Sequence, residues 1–357
     1  INFLKKKKIN FSNYEKLWSW SVKDKNNFWN SIWDFGKITG VKKKPYFKKE
    51  KEFIKNSFFK KSKINYFENI IKDKKNNNKA ITFYSEKESF KREFTWAEIN
   101  ESVNKISYFF TNKAKIKPKD RIVAVLPNIP ETIIAFLATA KIGGIWSSCS
   151  ADFGPEAIIE RFNQIKPKVL IVCDYYFYNG KKYNVIKKIK KIKESIKSIK
   201  QIIIIPYDGK KRFSKYEKKY CCWNTILNEK YKEKKIRLFN FNHPLYILYS
   251  SGTTGKPKCI VHGSGGSLIQ HIKEHKLHCN INEGDVVMYF TTCGWMMWNW
   301  LVSVLASNAR IVLFDGSPVF PKKDILFDII DREKITFFGT SDKYFENIKK
   351  EKMKISS

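Results

Sequence analysis

An α/β architecture with helix-covered, largely parallel sheets is the fold class this sequence predicts, and three observations carry it. From Arg121 onward short apolar runs alternate with longer amphipathic ones, the rhythm of β-α repeats whose strands are buried on both faces. Proline and glycine stand between those runs, where helices open and close. The 357 residues are 43% hydrophobic and 15% aromatic, enough to fill the cores of two or three domains and too apolar for a disordered chain. No window approaches the roughly eighteen consecutive apolar residues that a membrane-spanning helix needs.

The first eighty residues are rich in Lys, Asn and aromatic side chains, with Trp18, Trp20, Trp29 and Trp33 spaced through a helical segment. Tryptophans so spaced read as packing anchors that pin a peripheral segment onto a larger body. Lys74 to Lys79, with Asn76, Asn77 and Asn78, reads as a solvated loop. Ile122 to Leu126 reads as a buried strand, Pro127 and Asn128 break it, and Pro130 opens a helix through Lys141 that ends at Gly143 and Gly144. Gly154 and Pro155 start the next helix, to Ile165; Pro167 stops it, and Val169 to Cys173 is the following strand. Ile186, Ile189, Ile192, Ile196 and Ile199 recur at three- and four-residue steps on a lysine-rich helix, and the strand Ile202 to Ile205 follows directly. Further strands are expected at Leu245 to Tyr249, Cys259 to His262, Val286 to Phe290, Ile311 to Phe314 and Thr336 to Phe338, with helices from Gly266 to Cys279 and from Asp324 to Asp331. The expected division is a segment at 1–80 packed on a body at 81–357, with a soft subdomain boundary near 210–235, where charge is dense and apolar periodicity lapses. Ligands of parallel-sheet proteins collect beyond the carboxyl ends of the strands, so informative residues should lie just after them.

The formal charge is +35, from 69 basic and 34 acidic residues. Seven of the cations are arginine, the residue whose planar fork reads phosphate and guanine, so nucleic acid is not the expected partner. Lysine keeps company with abundant Asn, Ile, Phe and Tyr, all served by A/T-rich codons, which places it on any solvated surface. The isoleucine stripe could lie on a membrane surface. A helix packed on a sheet with its lysines in water is favoured by the strand that follows, and no membrane partner is expected. Seven cysteines without a C-x-x-C pair make neither a disulfide framework nor a zinc ribbon. Ile1 to Asn10 has a lysine run but not the apolar core of a signal peptide, and a cytoplasmic location is expected.

The strongest local signal is Tyr249-Ser250-Ser251-Gly252-Thr253-Thr254-Gly255-Lys256-Pro257-Lys258, directly after an apolar strand. Two glycines let the backbone turn its N–H groups onto an anion, Ser250, Ser251, Thr253 and Thr254 offer hydroxyl donors, and Lys256 and Lys258 supply charge. A Walker loop would need glycine at 250 and a hydroxyl residue after Lys256, where Ser250 and Pro257 stand. Pro257 also removes a backbone donor, so the loop is expected to return into a strand and not to open a helix.

That string resembles the phosphate-binding signature of the adenylate-forming superfamily, which includes acyl-CoA synthetases, luciferases and peptide-synthetase adenylation domains. Leu126-Pro127-Asn128-Ile129-Pro130-Glu131, Gly144-Ile145-Trp146-Ser147-Ser148-Cys149-Ser150, Thr292-Cys293-Gly294-Trp295-Met296-Met297-Trp298-Asn299-Trp300 and Phe338-Gly339-Thr340-Ser341 are similar to segments of the acetoacetyl-CoA synthetases, a resemblance that starts near Trp18 and runs over nearly the whole chain. It implies the N-terminal body of an adenylate-forming enzyme, with ATP, Mg²⁺ and coenzyme A as co-substrates and a small carboxylic acid, acetoacetate, as substrate. It assigns Ser251, Gly252, Thr253, Thr254, Gly255, Lys256 and Lys258 to the nucleotide phosphates, and Trp295, Met296, Met297, Gly339, Thr340 and Ser341 to the acyl group. A Trp and two Met could wall a small apolar slot, although such a run also reads as core. A ligase for acetate or another short acid, and from another class a lysine-driven nucleic-acid or membrane binder, stay open.

Two constellations are set aside. His271, His275 and His278 with Cys279 could share a helix face, but one face rarely supplies tetrahedral zinc ligands alone, and no metal site is assigned. His262 reads equally as a turn residue or as part of the site. The superfamily carries further motifs after the region seen here: an acidic segment, a ribose-binding aspartate, a hinge, and a C-terminal lid with its lysine. The chain therefore reads as an N-terminal fragment, inactive alone, with the lid absent and no catalytic residue to assign.

Overall fold

The computed structural model describes residues 2–6, 9–87, 90–210, 219–250 and 255–351. Seven strands form the larger sheet in the order Cys221–Cys222, Gln201–Ile205, Val169–Cys173, Arg121–Leu126, Ile145–Ser150, Pro244–Tyr249 and Cys259–Gly263. Every neighbouring pair is parallel except the last, an antiparallel hairpin. Five strands form the smaller sheet in the order Phe337–Gly339, Val286–Tyr289, Arg310–Asp315, Lys79–Ser85 and Lys91–Thr95, again with only the last pair antiparallel. The α/β class with helix-covered, largely parallel sheets is thus what the chain adopts. Strands on both sides of the 210–235 stretch, at 201–205 and 244–249, and the strand at 221–222 within it all join the same sheet.

The local chemistry explains the central elements. Ile122 to Leu126 are all fully buried, as a strand with parallel neighbours on either side requires. Pro130 occupies the first turn of helix Pro130–Lys141, where its missing N–H costs nothing, and all twelve residues of that helix are buried. Its Phe136 meets Trp146 and Tyr246 of the larger sheet and Trp298 of helix Met296–Val304, with ring centroids about 6 Å apart. Helix Pro155–Ile165 again starts on Pro and ends where Lys166 turns left-handed before Pro167. The lysine-rich helix Ile186–Ser195 buries Ile189 and Ile192, and Ile196 and Ile199 extend the buried stripe beyond its end. The membrane-surface alternative fails there, because the apolar face is packed inside the protein.

Other expectations shift. The N-terminal aromatic stretch is two helices, Tyr14–Lys23 and Lys25–Phe35, because Asp24 closes the first and caps the second through its carboxylate. Trp33 is the true anchor, buried against Phe59 and Phe241 with centroids 5.0 and 5.8 Å away. Trp20 and Trp29 are half-buried, and Trp18 is 59% exposed, since helix Tyr14–Lys23 buries none of its residues. The helix expected at 266–279 starts at Ser264, and its last part, Glu274–His278, is a π-helical turn. Strands Lys79–Ser85 and Lys91–Thr95, helix Trp96–Asn112 and the hairpin Tyr175–Tyr178/Lys181–Asn184 are additional to the elements read from the sequence.

Candidate functional site

Strand Pro244–Tyr249 and strand Cys259–Gly263 pair with Tyr249 opposite Cys259, and Ser250 N–H donates to Lys258 O at 3.1 Å. The lysine- and hydroxyl-rich string is therefore a hairpin loop that returns into a strand, at the carboxyl end of strand Pro244–Tyr249, which lies parallel to its other neighbour Ile145–Ser150. Ser251, Gly252, Thr253 and Thr254 lie outside the described residues. Gly255 has φ +102°, a backbone region closed to other residues, and nothing lies within 4 Å of where a Cβ would stand. Lys256 and Lys258 are exposed, while Pro257 between them is buried and its carbonyl accepts from Gln164 Nε2 at 3.0 Å.

Beside this hairpin three distant segments meet. Ser148 Oγ donates to Cys293 O at 2.6 Å and accepts from Trp146 Nε1 at 3.1 Å. Cys293 Sγ donates to Leu126 O at 3.0 Å, and Trp298 Nε1 donates to Asn128 Oδ1 at 3.0 Å. The turn Thr292–Trp295 is thereby tied to the carboxyl ends of strands Arg121–Leu126 and Ile145–Ser150. Burial pushes the Cys149 thiol up to about 12 and Cys293 higher still, so both are neutral packing groups and not nucleophiles. A recess of about 60 Å³ opens between Ser148, Cys149, Phe153, Arg161, Tyr249 and the turn Thr292–Trp295. That is about two waters' share of liquid volume, a notch and not a closed chamber.

The residues expected at the acyl group are all exposed or half-buried. Trp295 and Met296 are 63% and 45% exposed, and Met297 is half-buried. Trp298, Asn299 and Trp300 beneath them are buried, so the apolar run is core in its second half and an open wall in its first. Gly339 lies opposite Tyr289 in the parallel pair, and its carbonyl accepts from Phe290 N–H at 2.8 Å. A Cβ on Gly339 would meet the Tyr289 ring at 2.2 Å, which is why glycine stands there. Thr340 is half-buried, its Oγ1 enclosed without a hydrogen-bond partner, and Ser341 is exposed.

Helix Met296–Val304 is backed by imidazoles. His271 Nδ1 lies 2.7 Å from Ser303 Oγ, and the His275 ring meets Trp300 edge-on at 4.4 Å. Burial pulls His271 down to about 4 and His275 to about 3, so both are neutral at ordinary pH. His278 is exposed. The His271 and His275 rings lie 6.1 Å apart, and among the described residues no three His, Cys, Asp or Glu side chains cluster as a metal site. His262 stacks on Tyr246 at 4.8 Å within the hairpin, and burial lowers its pKa.

Two residues escaped the sequence reading, Arg161 on the wall of the recess and Asp315 at the junction of the two sheets. Arg161 lies over the rings of Phe153 and Tyr249, 5.1 and 5.9 Å from their centroids, and its carbonyl accepts from Tyr249 OH at 3.1 Å. Asp315, at the carboxyl end of its strand, is a buried acid pushed up to about 7 by desolvation, with Tyr207 OH donating to it at 2.9 Å. Asn128 N–H reaches the same carboxyl at 3.4 Å, which joins the two sheets. The only sequence signal near Arg161 is the Gly154-Pro155 helix start, which says nothing of what its side chain meets.

The AMP-binding enzyme family model matches residues 70–356. The acetoacetyl-coenzyme A synthetase of Rhizobium meliloti is 40% identical over 342 residues, covering 95% of this chain and 52% of that protein. The malonamoyl-CoA synthetase of Penicillium aethiopicum is 34% identical over 98% of this chain and 52% of its own length. Among solved structures, the acetoacetyl-CoA synthetase of Streptomyces lividans superposes with a TM-score of 0.89 at 33% identity, covering 96% of this chain and 52% of that one. The chain spans about half the length of the curated relatives it matches.

Proposed function

The chain belongs to the AMP-binding enzyme family, and on that premise we propose that it serves the ATP-dependent activation of acetoacetate, first to acetoacetyl-AMP and then to acetoacetyl-CoA. A carboxylate is a poor electrophile. Its oxygen attacks the α-phosphorus of ATP, the bond from that phosphorus to the bridging oxygen breaks, and pyrophosphate leaves with the electron pair. The sulfur of coenzyme A, having lost its proton, then attacks the acyl carbon and AMP departs. Catalysis of the first step is mainly positioning plus stabilisation of charge on the leaving pyrophosphate.

In this reading Ser251, Gly252, Thr253, Thr254, Gly255, Lys256 and Lys258 hold the phosphates, while Trp295, Met296, Met297, Gly339, Thr340 and Ser341 border the acyl group. The observation that carries it is the meeting of the hairpin arm Tyr249 with the turn Thr292–Trp295 on one recess, beyond the carboxyl ends of parallel strands. The enclosed, unpartnered hydroxyl of Thr340 supports acetoacetate in particular. Acetoacetyl and malonamoyl groups, named for the relatives above, both carry a carbonyl two carbons from the acyl carbon, and such an oxygen would accept from that hydroxyl. Mg²⁺ enters with the nucleotide, as counterion to its phosphates, and no step is assigned to a metal held by the chain. A cytoplasmic setting belongs to the same proposal, supported by seven cysteines that are all unpaired.

The test is acid-dependent exchange of labelled pyrophosphate into ATP by the protein expressed from its complete reading frame, with acetoacetate, acetate, butyrate and malonamate compared. Exchange fastest with acetoacetate is expected. Exchange fastest with acetate would transfer the assignment to that acid, and the absence of exchange with any of the four would sink the ligase reading.

A further inference from the structure

We infer that Arg161 is a further ligand of this site, anchoring the polyphosphate end of the nucleotide and the pyrophosphate that departs from it, an assignment that rests on the phosphate role proposed for the hairpin loop. Among the other half-buried arginines, Arg92 pairs with Glu131 and Arg310 with Glu333, while Arg121, also without a carboxylate, spends its guanidinium on the carbonyls of Ile165, Lys119 and Lys166. Arg161 is half-buried too, yet no described carboxylate pairs with it. One Nη1 hydrogen bond, to Ala157 O one helical turn back at 2.9 Å, is its only described polar contact through the side chain. The rings of Phe153 and Tyr249 fix where the guanidinium lies. An oriented, half-desolvated cation without an acid is half of an ion pair, and its planar fork suits a phosphate group.

Its position identifies the anion. Tyr249 leads into the hairpin loop, and the Tyr249 hydroxyl is bonded to Arg161's own carbonyl. One turn further along the helix, Gln164 holds the loop's other arm at Pro257 O. Across the recess stands the turn Thr292–Trp295, on the side assigned to the acyl group. Arg161 therefore lies between the phosphate loop and the place where acid and nucleotide must join. As the bond from the α-phosphorus to the bridging oxygen breaks, negative charge grows on the departing pyrophosphate, and a cation already held in place stabilises it without reorganising.

The test uses the whole chain, with magnesium pyrophosphate, MgATP and coenzyme A as separate titrants in calorimetry. Arg161→Gln is expected to weaken pyrophosphate and MgATP about 10- to 100-fold, the range for a lost charged hydrogen bond, and Arg161→Lys to recover part of the loss through charge alone. Equal pyrophosphate affinity in wild type and Arg161→Gln overturns the inference and leaves the loop assignment standing. If the wild-type chain binds neither pyrophosphate nor MgATP, both fall together. A purely structural Arg161 would lower the unfolding midpoint without moving these affinities. Should Arg161→Gln fail to fold, phenylglyoxal labelling of the wild-type chain decides. Pyrophosphate is expected to protect Arg161 in the peptide map, whereas protection by coenzyme A alone would place a different anion there and overturn the assignment.

Discussion

The two sets of residues proposed for the nucleotide and for the acyl group are built on opposite plans. The set proposed for the nucleotide is contiguous: hydroxyl residues, glycines and lysines follow one another in the sequence between two paired strands, and Lys256 and Lys258 stand in solvent. The set proposed for the acyl group is assembled, with Trp295 and Met296 following one strand of the smaller sheet and Gly339 to Ser341 ending its neighbour. Beneath it lie Trp298 and Trp300, with His271 and His275 behind. A surface loop can lose a functional group and keep its fold, whereas an assembled wall shares its footing with the core.

The sharpest way to break this contrast is to exchange the effects. Trp298→Ala removes a fully buried indole and leaves Asn128 Oδ1 without its donor, and is expected to cost about 3–5 kcal/mol in urea unfolding. Lys256→Ala should slow pyrophosphate exchange about 100-fold while moving stability by less than about 0.5 kcal/mol, and Thr253→Ala should act in the same direction. A Lys256→Ala protein as unstable as Trp298→Ala would erase the distinction.

Acid sharpens the contrast from the other side. His271 and His275 sit at about 4 and 3 in the folded chain against an ordinary 6.5, so the unfolded chain binds more protons between those values. Their contribution is complete above pH 6.5 and is lost as pH falls toward 4 and then 3. A thermal midpoint measured across that window should decline, and His275→Phe should flatten the decline; an identical slope in that variant would exonerate the imidazoles.

Smaller effects probe each side singly. Thr340→Val keeps the shape and deletes the hydroxyl, and should cut the preference for acetoacetate over butyrate about tenfold with butyrate activation unchanged. Trp18→Ser, at an exposed position, should move stability by less than about 0.5 kcal/mol in the same unfolding assay.

Legibility in the sequence follows the same divide. Strand Val169–Cys173 and helices Pro130–Lys141 and Pro155–Ile165 were readable because buried apolar runs and Pro or Gly punctuation are local signals. Helix Trp96–Asn112 carried a signal that went unread, the capping box of Thr95 with Glu98. The hairpin at 175–184 likewise carried the turn pair Asn179-Gly180. Strand Lys79–Ser85 also carried one, the β-branched and aromatic run Ile81 to Tyr84, whereas its parallel pairing with Arg310–Asp315, far along the chain, left no local mark. The string proposed for the phosphates announced itself by composition, and the residues proposed for the acyl group only through resemblance. That Trp295 would stand in solvent while Trp298 is sealed depends on where the helix begins, a matter of tertiary contact.

Helix Pro155–Ile165 grips both arms of the hairpin three residues apart, at Arg161 and at Gln164. Three residues advance a helix by about 4.5 Å, and paired strands run about 4.8 Å apart, so a helix laid against two strands measures their separation as calipers would. The gauge of the loop's mouth, between Tyr249 and Pro257, is thus set by a rigid rod outside it.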